Sequence, residues 1–139
     1  MVVNKICMMD EFVKCNRKYF DNTLPMPTFE IEHTFNTCAD FTYTYFPSTK
    51  DVENPIIRFT DYYEFTNEQF EDLMCHEMIH YYLAYNGIDM KMKHGKEFMS
   101  MAESLNEKYK LNITKELDKA TLKLSKNAPK WKNWLSNLF

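Results

Sequence analysis

The sequence predicts an α+β fold, a small three-stranded sheet packed with an H-E-x-x-H helix and a following helix that bears a further ligand. Three observations lead there. Residues 28–60 hold runs in which apolar and polar side chains alternate, flanked on both sides by segments of helical period. Thr66-x-x-Gln69 is a capping box that opens a helix. Residues 73–98, LMCHEMIHYYLAYNGIDMKMKHGKEF, contain three of the chain's four histidines.

In chain order, residues 5–21 read as the first helix. Met8 or Met9, Phe12, Cys15 or Asn16, and Tyr19 recur near the helical period, and Leu24-Pro25-Met26-Pro27 stops it. In 28–35 (TFEIEHTF), Phe29, Ile31, His33 and Phe35 share one face, opposite Glu30, Glu32 and Thr34, as in a half-buried strand. His33 falls on the apolar side and reads as a hydrogen-bonded core histidine, not a ligand. A second strand, 39–46, sets Phe41, Tyr43 and Tyr45 against Thr42, Thr44 and Phe46. Residues 47–54 are polar and turn-like, and 55–60 (PIIRFT) make a short third strand. The sheet is expected to be antiparallel or mixed, with the motif helix on one face.

The second helix follows the capping box. Glu68, Glu71 and Asp72 crowd its first turns, where the helix dipole favours anions. Gly87 reads as its C′ residue, 88–93 as a connecting loop, and 95–108 as a third helix with Phe98, Met101, Ala102 and Leu105 at helical spacing. Beyond Lys110 the signal fades: 111–114 is a connector and 115–126 mixes helical and alternating character. After Pro129, the residues Trp131, Trp134, Leu135, Leu138 and Phe139 predict a short terminal helix that docks an aromatic stripe on the core. Flanking Lys126, Lys130 and Lys132 supply the rival reading, a helix for a partner or a membrane surface.

Length fits one domain, 1–139, with a core over 5–110 and a basic, aromatic segment over 111–139. A chain of ~150 residues buries about two-thirds of its unfolded surface, so a real core is affordable. No apolar run approaches the length of a membrane span, and the first residues lack the pattern of a signal peptide. Cysteines 7, 15, 38 and 75 form no C-x-x-C pair, so reduced thiols in a cytoplasmic protein are expected. Cys75, beside His76, faces about 100° away on a helix and reads as packing. Charge is lopsided: residues 1–90 carry 6 Lys+Arg against 15 Asp+Glu, residues 91–139 carry 11 against 5. The basic third reads as a solvated face before it reads as a phosphate-binding one.

His76, Glu77 and His80 spell H-E-x-x-H. Positions i and i+4 of a helix share a face, so the two imidazoles can meet one metal ion at Zn–N distances of roughly 2.0–2.1 Å. Glu77 projects beside that point, where a carboxylate can take a proton from the attacking water. A zinc hydrolase wants three protein ligands and one open position. The metzincin pattern would place its third histidine where Asn86 stands. His94, able to fold back from the start of the third helix, is the better candidate; Glu97 and Glu103 are the alternatives, or carboxylates that orient the ligand histidines.

Helix, loop and His94-Gly95 resemble the SprT-like metallopeptidase family, which includes Spartan-type DNA–protein crosslink proteases. Asn16 to Pro25 resembles that family's N-x-x-Y-F-x-x-x-L-P stretch, and Thr66 to His80 is similar as well, so the likeness spans roughly residues 10–106. It implies a zincin-like fold, one zinc ion on His76, His80 and His94, catalytic Glu77, and a protein or peptide substrate, DNA-associated proteins included. Zincin-like folds hold an extended peptide on an edge strand, which makes 39–46 or 55–60 the candidate here. The chain departs from the family in its acidic bulk and in lacking a Cys₄ zinc ribbon after the catalytic part, and both weaken a nucleic-acid partner. Two other classes compete with a zinc peptidase: a zinc-stabilised binding module, against which Glu77 counts, and a zincin hydrolase of non-peptide substrates.

Overall fold

Asn4 opens the first helix by accepting a hydrogen bond from Cys7 N–H, and α1 runs over Lys5–Tyr19. It stops short of the prolines, because Asp21 and Asn22 turn into the left-handed region at φ 53° and 57°. The computed structural model describes residues 1–46, 48–49, 51–88 and 94–130. The expected terminal helix, with Trp131, Trp134, Leu135, Leu138 and Phe139, falls outside these residues, as does most of the 88–93 connection.

The architecture is α+β. Strands β1 (Thr28–Glu32), β2 (Ala39–Phe46) and β3 (Asp51–Thr60) form one sheet in the order β1-β3-β2. β1 runs parallel to β3 and β2 antiparallel to it, so of the two arrangements the sequence left open, antiparallel or mixed, the sheet is mixed. Pairing sets Phe29 and Phe41 on either side of Ile57, and Ile31 and Ala39 on either side of Phe59. That row is the face the helices cover. Phe29 meets Phe12 of α1 edge-on at 5.8 Å. From the second helix, α2 (Asn67–Tyr85), Tyr81 stacks on Phe41 at 5.1 Å and Phe70 meets Phe59 at 5.2 Å.

Three strand expectations need correction. The first strand ends at Glu32, not residue 35: Asp61 N–H bonds to Glu32 O, and Thr34 O accepts from the Thr60 hydroxyl, which draws the chain away. His33 therefore leaves the alternating face. It is hydrogen-bonded, as expected, through Nδ1 to Asp61 Oδ1 at 2.8 Å, but it is exposed rather than part of the core. The third strand begins at Asp51, because residues 51–53 pair with 44–46 across the hairpin. Along β2 only Phe41 is buried; Tyr43 and Tyr45 are exposed, since the outer half of this hairpin extends past the helices.

Thr66 and Gln69 form the expected reciprocal cap of α2. Its buried residues lie on almost every side, Cys75 among them, so this helix is the centre of the molecule. It ends in a Schellman turn: Gly87, at φ 68°, donates to Ala84 O, and Ile88 N–H reaches Leu83 O. The third helix, α3 (Lys96–Tyr109), packs on α2 through Phe98, Ala102 and Leu105. The chain then returns across the top of α2, and β5 (Lys123–Leu124) pairs with β4 (Tyr63–Glu64), a small sheet that alternation in the sequence did not disclose. Among the described residues no helix is long and apolar enough to cross a membrane.

Candidate metal centre

One turn of α2 separates His76 from His80, and their Nε2 atoms stand 3.3 Å apart. His94, just before the Gly95 cap of α3, brings its own Nε2 to 3.1 Å from that of His76 and 3.3 Å from that of His80. Tetrahedral bonds of roughly 2.0–2.1 Å to one zinc ion place ligand atoms about 3.3–3.4 Å apart, so the triangle has nearly the required size. The donor chemistry fits as well. His76 Nδ1 lies 2.7 Å from Thr114 O, which can only accept, so the ring's proton sits on Nδ1 and its Nε2 offers a lone pair to the centre.

Glu77 leaves α2 in a different direction from the histidines. Its side chain is only 6% exposed, and Oε1 lies 3.7 Å from His76 Nε2. Beneath the triad, Phe98 is fully buried and its ring centroid is 4.7–4.9 Å from those of all three imidazoles. The aromatic floor holds the rings in place and keeps water from that side.

A cleft of about 230 Å³ opens over His76, His94 and Glu77. Residues 36–39, leading into β2, form one wall, and segment 112–119 the other. Lys119 Nζ donates to Asn36 O at 2.6 Å and links the two. Segment 112–114 is itself tethered: Asn112 N–H donates to Asp72 Oδ1 at 3.0 Å, and the Asn106 amide bonds both backbone groups of Ile113. Burial pushes the Asp72 carboxyl above its ordinary value, while the Asn112 N–H pulls the other way.

The model of the SprT-like family matches residues 9–117. The chain belongs to the SprT-like family. No curated protein matches the sequence. The match covers the triad, Glu77, Phe98 and the Thr114 carbonyl of this SprT-like chain, and ends two residues short of Lys119.

All four residues singled out in the sequence, His76, Glu77, His80 and His94, come together. Glu97 and Glu103 do not join them. Both are exposed on α3, and the outer nitrogen of His76 is taken by a backbone carbonyl instead of a glutamate. A second group of ligand types, Glu11, Cys15 and Glu71, lies between α1 and α2. There Lys14 Nζ sits 2.8 Å from Glu11 and 3.2 Å from Glu71, so an ammonium already supplies the positive charge. Sequence reasoning missed Thr114, Asp72 and Asn106 as parts of the site, and saw Phe98 only as core. The one available signal was the His94-to-Phe98 spacing, which puts the aromatic ring one turn beyond the ligand.

Proposed function

We propose that this SprT-like chain is a zinc-dependent peptidase with a zincin-like active site. The convergence of three imidazole Nε2 atoms beside the sheltered Glu77 carboxylate carries the reading. His76, His80 and His94 would hold one zinc ion. When bound, zinc supplies Lewis acidity toward the scissile carbonyl and lowers the pKa of water toward ~7. Glu77 is the catalytic carboxylate: Oε1 accepts the proton of the attacking water and later hands it to the leaving amine. Phe98 and the Thr114 carbonyl hold the ligand rings still while that proton moves.

The substrate is an extended protein or peptide segment. Of the two candidate strands, the one at 55–60 lies inside β3 and is paired on both sides, whereas β2 is an edge whose first residue, Ala39, lines the cleft. A peptide laid along β2 by strand addition would pass over Glu77. Action on DNA-associated proteins rests on the family likeness alone. Lys119 and Lys123 have partners in Asn36 O and Glu64, and a role for the basic segment in phosphate binding predicts affinity that falls steeply with salt. Four free cysteines suit a reducing compartment such as the cytoplasm.

Elemental analysis of the purified protein tests the metal, and a peptide-cleavage assay tests the chemistry. About one zinc per chain is expected in the wild type, with loss or sharp weakening in His94→Ala. Glu77→Gln should keep the zinc and lose hydrolysis. Wild-type turnover in Glu77→Gln would falsify this mechanism, and full zinc retention in His94→Ala would move the third ligand elsewhere.

A further inference from the structure

We propose that Asn106 is a positioning residue: by clamping the backbone of Ile113 it aims the Thr114 carbonyl that fixes His76 as an Nε2 ligand. The inference rests on the metal reading of the triad and extends it. A neutral imidazole carries one ring proton, and whichever nitrogen holds it cannot bind a metal. In His76 the choice is made by Thr114 O, 2.7 Å from Nδ1. That carbonyl belongs to a segment outside any helix or strand, so no regular ladder holds it.

Asn106 replaces the ladder. Its Nδ2 donates to Ile113 O at 3.0 Å, and its Oδ1 accepts from Ile113 N–H at 2.8 Å. Both halves of the amide are used, on the residue next to the carbonyl that matters. A carboxylate could accept but not donate, and an apolar side chain could do neither. Two further contacts restrict the same segment: the Ile113 side chain is buried in the core, and Asn112 N–H is held by Asp72, one turn before His76 on α2. Asn106 also shares α3 with Phe98, two turns earlier, so one rigid helix carries both the floor under the rings and the clamp behind the first ligand.

The test compares Asn106→Ala with Asn16→Ala, which removes a matching pair of bonds to Leu24 after α1. Zinc affinity is measured by competition with a chromophoric chelator, and the ring ¹⁵N shifts of His76 are read in the metal-free protein. Asn106→Ala should weaken zinc about 10–100-fold, the usual effect of losing an outer partner of a ligand, and convert His76 from the Nδ1–H form to a mixture of tautomers. Asn16→Ala should leave affinity within about twofold and the tautomer unchanged. Wild-type affinity and tautomer in Asn106→Ala overturn the proposal, and so does an equal loss in Asn16→Ala, which would mean general loosening. Asn106→Asp, which keeps the acceptor and loses only the donor, covers failure of the alanine variant to fold; wild-type values there also overturn it. Should the wild type bind no zinc, the metal reading fails by itself, and the ¹⁵N spectrum still decides whether Asn106 sets the tautomer.

Discussion

Two asparagines in this molecule perform the same local task with different reach. Asn16, near the end of α1, bonds both backbone groups of Leu24, and the next carbonyl, Pro25 O, accepts from the Tyr81 hydroxyl at 2.9 Å. Asn106, near the end of α3, bonds both backbone groups of Ile113, and the next carbonyl, Thr114 O, accepts from His76. Each clamp follows a helix, steadies a chain return and presents a carbonyl to a side chain of α2. At the first the recipient is a buried tyrosine, with burial pushing its hydroxyl up to about 12, and the result is packing. At the second the recipient is a candidate metal ligand, and the same geometry becomes part of a site. Asparagine in such a clamp is a structural device; its consequence depends on what the clamped carbonyl meets.

The most severe way to break this comparison is to empty the space under each clamp. Leu24→Ala and Ile113→Ala both remove a buried side chain, and each should cost about 2–5 kcal/mol of stability in urea denaturation. Only Ile113→Ala should also weaken zinc. If the folded forms of both variants bound zinc equally well, the two regions would differ in nothing that matters to the triad. A milder probe is Tyr81→Phe, which deletes the donor to Pro25 O. It should cost about 1 kcal/mol and leave metal affinity alone; a loss of zinc would show that the α1 clamp reaches the site after all.

The smallest expected effect concerns Asp72, which tethers Asn112. Burial raises its folded-state pKa above the unfolded value, so between the two the folded chain holds more protons and stability falls as pH rises through that acidic window. Asp72→Asn keeps an oxygen to accept from Asn112 N–H and removes the charge. The slope of stability against pH across the window should flatten. An unchanged slope would mean that Asp72 titrates alike in both states.

Much of this structure was legible residue by residue. Thr66 and Gln69 announced the start of α2, Gly87 its end, and 39–46 its strand, because caps, turns and alternation are decided within a few residues. The misjudged places are those where partners far along the chain decide. His33 looked like a core residue until Asp61 and Thr60 pulled its segment off the sheet. Asp51-Val52-Glu53 has little strand character of its own and is extended because it pairs with 44–46. β4 and β5 are two residues each, too short for alternation to register.

The sequence by itself determined that His76 and His80 share a face with Glu77 beside them, since helix geometry is local and the motif helix is strongly capped. It also nominated His94, through the stop at Gly87 and the new helix that follows. Only the tertiary structure decided that Phe98 lies beneath all three rings, that Glu97 and Glu103 stand aside, and that Thr114 supplies the carbonyl behind His76. The reason is physical. Every residue carries the same carbonyl, so side-chain identity holds no record of which one the folded chain will bring to a ligand, and that choice is made only when α2, α3 and the returning segment pack together.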